Sequence, residues 1–194
     1  MRDNAVSASP LRVADFPQGV VGRDEALQRM RGWLEKMLGG ERQVVFVTGE
    51  AGIGKTALVD TFTRSIASDR SIRIVRGQCL EQYGTSEAYL PVLEAIGRLC
   101  REQAQVVDVL RAHAPMWLLQ MPSLLSASER ELLSRDLFGA TRERMLREMG
   151  EALEALTADL PLVLIFEDLH WSDYSTLDLI SYLARQRQAA QLML

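Results

Sequence analysis

Gly49-Glu50-Ala51-Gly52-Ile53-Gly54-Lys55-Thr56 follows directly on the apolar run Val44-Val45-Phe46-Val47 and leads into Ala57-Leu58-Val59-Asp60-Thr61-Phe62. The octet fits G-x-x-x-x-G-K-[ST], the pattern of a phosphate-binding loop. Its surroundings carry as much as its letters. A short β-branched run without helical period reads as a buried strand, and the stretch after Thr56 opens a helix. Strand, glycine loop and helix N-terminus in that order build an anion site: successive backbone N–H groups point inward and the helix dipole favours negative charge. Gly52 and Gly54 let the backbone adopt otherwise strained conformations and approach a phosphate with no Cβ in the way. Lys55 is expected to reach the β- and γ-phosphates, and the Thr56 hydroxyl to ligate Mg²⁺. With glycine at ~7% of residues on average, chance alone produces such an octet in a chain this size with a probability of roughly one in a hundred.

The 194 residues suit one domain, long enough to bury a core. Charged residues at 25% and apolar residues at 47% are average for a soluble globular protein. A net charge of −4 gives no reason to expect a nucleic-acid surface. Cys79 and Cys100 have neither metal-site spacing nor the numbers of a disulfide scaffold, so free thiols in a reducing cytosol are expected. Met1 to Pro10 lacks the apolar core of a signal peptide, and no apolar run approaches the ~18 residues that cross a bilayer. The composition predicts a cytoplasmic protein, or a piece of one, without a membrane partner.

Residues 1–15 read as a flexible tail, and 16–194 as the folded domain. A helix is predicted from Asp24 to Leu38, where Leu27, Met30, Trp33, Leu34 and Met37 repeat at three and four and Gly39-Gly40 ends the pattern. After the loop helix (Lys55 to Ser68), Ser71 to Gly77 reads as a second strand, giving a βαβ unit with a right-handed crossover. Tyr83-Gly84-Thr85-Ser86 is a predicted loop. Residues 79–160 otherwise read as helical. Pro91 is placed in a first turn, Met116-Trp117-Leu118-Leu119 in the core, and Ser128-Glu129-Arg130-Glu131 as a capping box. From Thr141 to Thr157 the charged residues read as a solvated face with i,i+4 pairs.

The second informative stretch is Leu162-Val163-Leu164-Ile165-Phe166-Glu167-Asp168-Leu169-His170-Trp171. Five apolar residues between Pro161 and a carboxylate pair read as another buried parallel strand. Acids at the C-terminal end of such a strand project into the crevice where open α/β sheets bind ligands. A phosphate-loop ATPase needs one acid there for the Mg²⁺ shell and a base or water-positioning group for hydrolysis. Glu167 and Asp168 supply that chemistry. Asp173 is expected to be the N-cap of a helix over Ser175 to Gln186, and His170 a packed or capping side chain.

The octet at 49–56, Val-Val-Gly-Arg-Asp-Glu at 20–25 and Glu-Asp-Leu-His-Trp-Ser-Asp at 167–173 together resemble the STAND class of AAA+ ATPases. More closely, they resemble the N-terminal ATPase module of large ATP-binding LuxR-type transcription regulators. Cys79 and Tyr89-Leu90-Pro91 also sit where those modules carry a Cys and a Tyr-x-Pro pattern. The resemblance covers about residues 16–194. It implies an α/β fold, the three-layer α/β/α parallel sheet of P-loop NTPases, with a helical insertion between the second and third strands. Val21, Gly22 and Arg23 would lie near the adenine and ribose of ATP. Gly49, Glu50, Ala51, Gly52, Ile53, Gly54, Lys55, Thr56 and Ala57 would wrap its phosphates. Thr56, Glu167 and Asp168 would surround Mg²⁺, and the two acids would be the catalytic pair, with Glu167 serving the metal first and Asp168 as candidate base.

The wider superfamily places Asp first and Glu second, whereas here the order is reversed, and Asp168 is one methylene shorter in its reach to a water. Slow turnover, as in a switch, is the expectation. Against the family pattern the sequence looks truncated. Ala190-Gln191-Leu192-Met193-Leu194 opens the sensor strand, which lies between the phosphate-loop strand and the Glu167–Asp168 strand in that family, and the lid does not follow. The resemblance implies ATP and ADP as ligands, and an effector domain, other subunits or self-association as partners. Two further readings are a DNA-associated AAA+ motor of the origin-recognition type and a non-catalytic fragment acting through protein contacts.

Overall fold

Leu162-Val163-Leu164-Ile165-Phe166-Glu167 is the middle strand of a parallel sheet, and its alternation organises everything around it. The computed structural model describes residues 22–67, 71–81, 87–136 and 141–194. The N-terminal tail, the segment through Val21, and the predicted loop at Tyr83–Ser86 lie outside the described residues. In chain order the elements are α1 (Asp24–Leu38), α2 (Lys55–Ile66), β1 (Arg73–Gln78), α3 (Leu90–Glu102), α4 (Ala104–His113), α5 (Pro115–Leu119), α6 (Ala127–Asp136), α7 (Arg142–Asp159), β2 (Leu162–Glu167), α8 (Tyr174–Arg185) and β3 (Leu192–Met193).

The sheet order is β1-β2-β3. β1 and β2 pair from Arg73 opposite Leu162 to Gln78 opposite Glu167. Successive side chains of a strand point to opposite faces. Leu162, Leu164 and Phe166 therefore pack with α3, α4, α5, α7 and α8, while Val163 and Ile165 pack with α1 and α2. Helices cover both faces of a parallel sheet, as a βαβ pattern requires. This mixed α/β arrangement, with its three-stranded parallel sheet, is consistent with the fold the resemblance implies. The buried stripe of α1 is Leu27, Met30, Leu34 and Met37, and its bounds coincide with those predicted.

The phosphate-loop run departs from expectation. Gln43 and Val45 donate to Leu192 and Leu194 at 2.9 and 2.8 Å, and Leu194 donates back to Gln43 at 2.9 Å. The run thus lies beside β3, which separates it from β2, in the order the resemblance implies. It forms no regular strand: Gln43 makes an isolated bridge to Met193, and Phe46 is 62% exposed. The physical reason is pairing. Backbone groups need partners, and this run has β3 on one side and no strand on the other among the described residues.

Two other expectations shift. The capping box opening α6 is Ser126 with Glu129. The Ser126 amide donates to Glu129 Oε2 at 2.9 Å, and the Glu129 amide to Ser126 Oγ at 3.3 Å. A box two residues later would have spent Ser126, Ala127 and a ready cap on loop. On α7, Glu148 leaves the solvated face: it is 6% exposed and accepts from the Met116 amide at 2.9 Å, an otherwise unpaired donor at the start of α5. Trp117 is core, fully buried, with its indole N–H on the Met145 carbonyl. Two arginines close helix C-termini, where cations complement the dipole. Arg73 donates to the Leu156 carbonyl and pairs with Asp159, and Arg42 donates to the Leu183 carbonyl and pairs with Glu154.

Candidate functional site

The loop between Val47 and α2 takes its shape from its glycines. Gly49, Gly52 and Gly54 have φ of 150°, 78° and 90°, conformations that side chains rarely adopt. A Cβ built on Gly52 or Gly54 would meet nothing within 4 Å. Backbone conformation and not crowding therefore selects glycine there, and the space above the loop is open. Gly54 occupies the N-cap of α2, where no side chain caps the helix and no acid lies in the first turn. The first-turn amides, with no intrahelical acceptor, face an opening that suits an anion. Lys55 Nζ lies 2.9 Å from the carbonyls of both Gly49 and Glu50, curled along the loop. Arg23, at the N-cap of α1 after Gly22 (φ 76°), donates to the Ile53 carbonyl.

Across from the loop, β2 ends at Glu167 and the chain turns sharply. Asp168 sits in the left-handed region (φ 55°, ψ 43°), uncommon for a residue with a side chain. Its carbonyl accepts from the Trp171 amide at 2.8 Å, closing a short 3₁₀ turn. Glu167 Oε1 is held at 2.8 Å by Arg76 of β1. The same guanidinium reaches Asp60 at 2.7 Å and the Thr63 hydroxyl at 2.7 Å, both on α2.

Loop and acids line one cleft of about 1020 Å³, which also runs past Val163 and Ile165 of β2 and Met193 of β3. Gly49, Ala51, Gly52, Gly54, Lys55 and Thr56 line one part of it, and Glu167, Asp168 and His170 another. Glu50, Ile53, Ala57, Gly22 and Arg23 are not among its lining residues, although Arg23 touches the loop through Ile53. Val21 lies outside the described residues. Asp173 caps α8, accepting from the Thr176 amide at 2.9 Å, and also accepts from the Tyr89 amide at 3.1 Å.

Residues 19–194 match the family model described as "AAA ATPase domain". The chain belongs to the AAA ATPase domain family. An uncharacterised protein of Rhizobium meliloti (strain 1021) is 29% identical over 177 residues, covering 86% of this chain and 17% of that protein. The chain thus spans about a sixth of this relative's length. No solved structure gives a significant match.

As an AAA ATPase domain, the chain is a nucleotide-binding module, and its cleft fits the ligand. The glycine loop offers amides and space for phosphate oxygens. No cluster of three or more His, Cys, Asp or Glu side chains able to hold a metal occurs among the described residues. A hydroxyl and an acid completed by phosphate oxygens and water is the donor set Mg²⁺ takes. No helix among the described residues is long and apolar enough to cross a membrane. Sequence reasoning missed Arg76, Asp60 and Thr63. The available signal was Asp60 and Thr63 falling four and seven residues after Thr56, on one helix face.

Proposed function

We propose that this AAA ATPase domain binds ATP with Mg²⁺, hydrolyses it slowly, and acts as a nucleotide-driven switch within a larger signalling or transcription-regulatory protein. The observation that carries the proposal is the shared cleft: the glycine loop and residues Glu167 and Asp168 line one cavity. The loop amides from Gly49 to Ala57 take the phosphates, and Lys55 transfers its ammonium from two loop carbonyls to phosphate oxygens. Thr56 and Glu167 hold the Mg²⁺ shell. Asp168 orients or deprotonates the attacking water. Gly22 and Arg23 adjoin the nucleoside, supported by the Arg23 contact to the loop. Bound Mg²⁺ would neutralise phosphate charge. The switch role is supported by the resemblance in motif order and by the much greater length of the relative.

Fluorescent ATP binding, measured with and without Mg²⁺ on wild type and Lys55→Ala, tests this reading. Losing the ammonium removes a charge-assisted contact, so affinity should fall about 10- to 100-fold. Unchanged affinity in Lys55→Ala refutes the phosphate assignment. Asp168→Asn should spare binding and suppress phosphate release; if Glu167→Gln alone does so, the two acids have exchanged roles.

A further inference from the structure

We propose that Arg76 competes with Mg²⁺ for Glu167 and thereby sets the Mg²⁺ concentration at which nucleotide binds. The inference rests on the metal role given to Glu167 above. Arg76 stands opposite Ile165 in the register of β1 and β2, and its guanidinium reaches diagonally to the acid at the strand end. Nη1 lies 2.8 Å from Glu167 Oε1 and 2.7 Å from Asp60 Oδ1, and Nη2 lies 2.7 Å from Thr63 Oγ1. One cation is thus shared between two carboxylates. The side chains of Arg76 and Glu167 are 29% and 28% exposed, too enclosed for water to screen the charges fully.

Asp60 and Thr63 lie four and seven residues beyond Thr56 on α2, so one helix face presents all three. This makes the network two-way. If Glu167 turns toward a metal shell, Arg76 keeps Asp60 and Thr63, and no guanidinium is stranded without acceptors. If Glu167 turns back, all four groups are paired. A guanidinium and a divalent cation repel each other, so the carboxylate cannot serve both at full strength. Arg76 therefore raises the Mg²⁺ demand of the site. A brace that merely joined β1 to α2 would not move that demand.

The test is an equilibrium titration of fluorescent ATP binding against Mg²⁺, with a parallel series in EDTA. Arg76→Gln should lower the half-saturating Mg²⁺ about fivefold or more, the scale of an ordinary coupling between sites, and leave binding in EDTA unchanged. Asp60→Asn, which weakens the alternative anchor, should raise the half-saturating Mg²⁺, and that rise should vanish in the Arg76→Gln background. Should Arg76→Gln fail to fold by circular dichroism, Arg76→Lys keeps the charge but cannot span three acceptors with a planar fork. Its half-saturating Mg²⁺ should fall by a smaller factor. An unchanged or higher half-saturating Mg²⁺ in the folded arginine variant overturns the inference, as does an Asp60→Asn shift that survives without Arg76. Wild-type binding that ignores Mg²⁺ altogether sinks the metal role of Glu167 instead, so the two failures are distinguishable.

Discussion

Gly77→Ala should be among the most damaging single-methyl additions the fold can receive. A Cβ built on Gly77 would lie 1.9 Å from the Pro91 carbonyl oxygen, 2.8 Å from its carbon and 3.2 Å from its Cα. All three are backbone atoms, so no side chain can rotate aside. Restoring ordinary contact requires the start of α3 to retreat by about 1.5 Å. Behind it stand Val92, Ala95 and Ile96, all fully buried, in an interior packed too densely to yield. Overpacking typically costs about 1–3 kcal/mol. With backbone on both sides of the contact, we expect about 3 kcal/mol, lowering the melting temperature by about 6–12 °C for a chain of this size. Gly32→Ala is the internal control. It lies in α1, and its Cβ would meet nothing within 4 Å, so relief of glycine's backbone entropy should stabilise by about 0.5–1 kcal/mol. Urea denaturation of the two variants beside wild type measures both. A loss below about 1 kcal/mol for Gly77→Ala would show that α3 is not pressed against β1 as the fold requires.

The capping-box register predicts that Ser126→Ala costs about 1 kcal/mol while Ser128→Ala changes stability by only a few tenths; the reverse order, by thermal melting, would restore the box to Ser128. Asp173→Ala should cost about 2 kcal/mol, because it uncaps α8 and strands the Tyr89 amide as well; a neutral urea midpoint would contradict that double role. Burial pushes the Cys100 thiol up from 9.0 to about 11 and raises that of Cys79. The thiolate is the reactive form, so neither should label with a thiol reagent at pH 8 until the chain unfolds, and rapid native labelling of Cys100 would refute its burial. For Cys100 the sign follows: its stabilisation is complete below about pH 9 and lost as pH rises through 11.

Much of the candidate site was legible because its signals are local. Glycines at fixed offsets, a lysine and hydroxyl at a helix start, and acids at a strand end need only neighbours in sequence. The same locality explains why α1 has the bounds its periodicity predicts, and why Asp173 caps α8. The reading failed where a residue's partner is distant. Val44 to Val47 has the composition of a buried strand, yet pairing decides burial, and β3 accompanies it only as far as Val45. Glu148 looked like part of a charged face until α5 placed an amide against it.

What the sequence determined alone is the chemistry on offer: a glycine loop of phosphate-loop pattern at the head of a helix, two carboxylates closing an apolar strand, and a mixed α/β fold. Side-chain type and short-range spacing suffice for these. Only the tertiary structure decided that loop and acids share one cleft, that Gly77 must lack a side chain, and that Arg76 binds Glu167 together with Asp60 and Thr63. Those facts depend on which strands lie side by side and how closely a helix crosses them. Packing settles such relations between segments far apart in the chain.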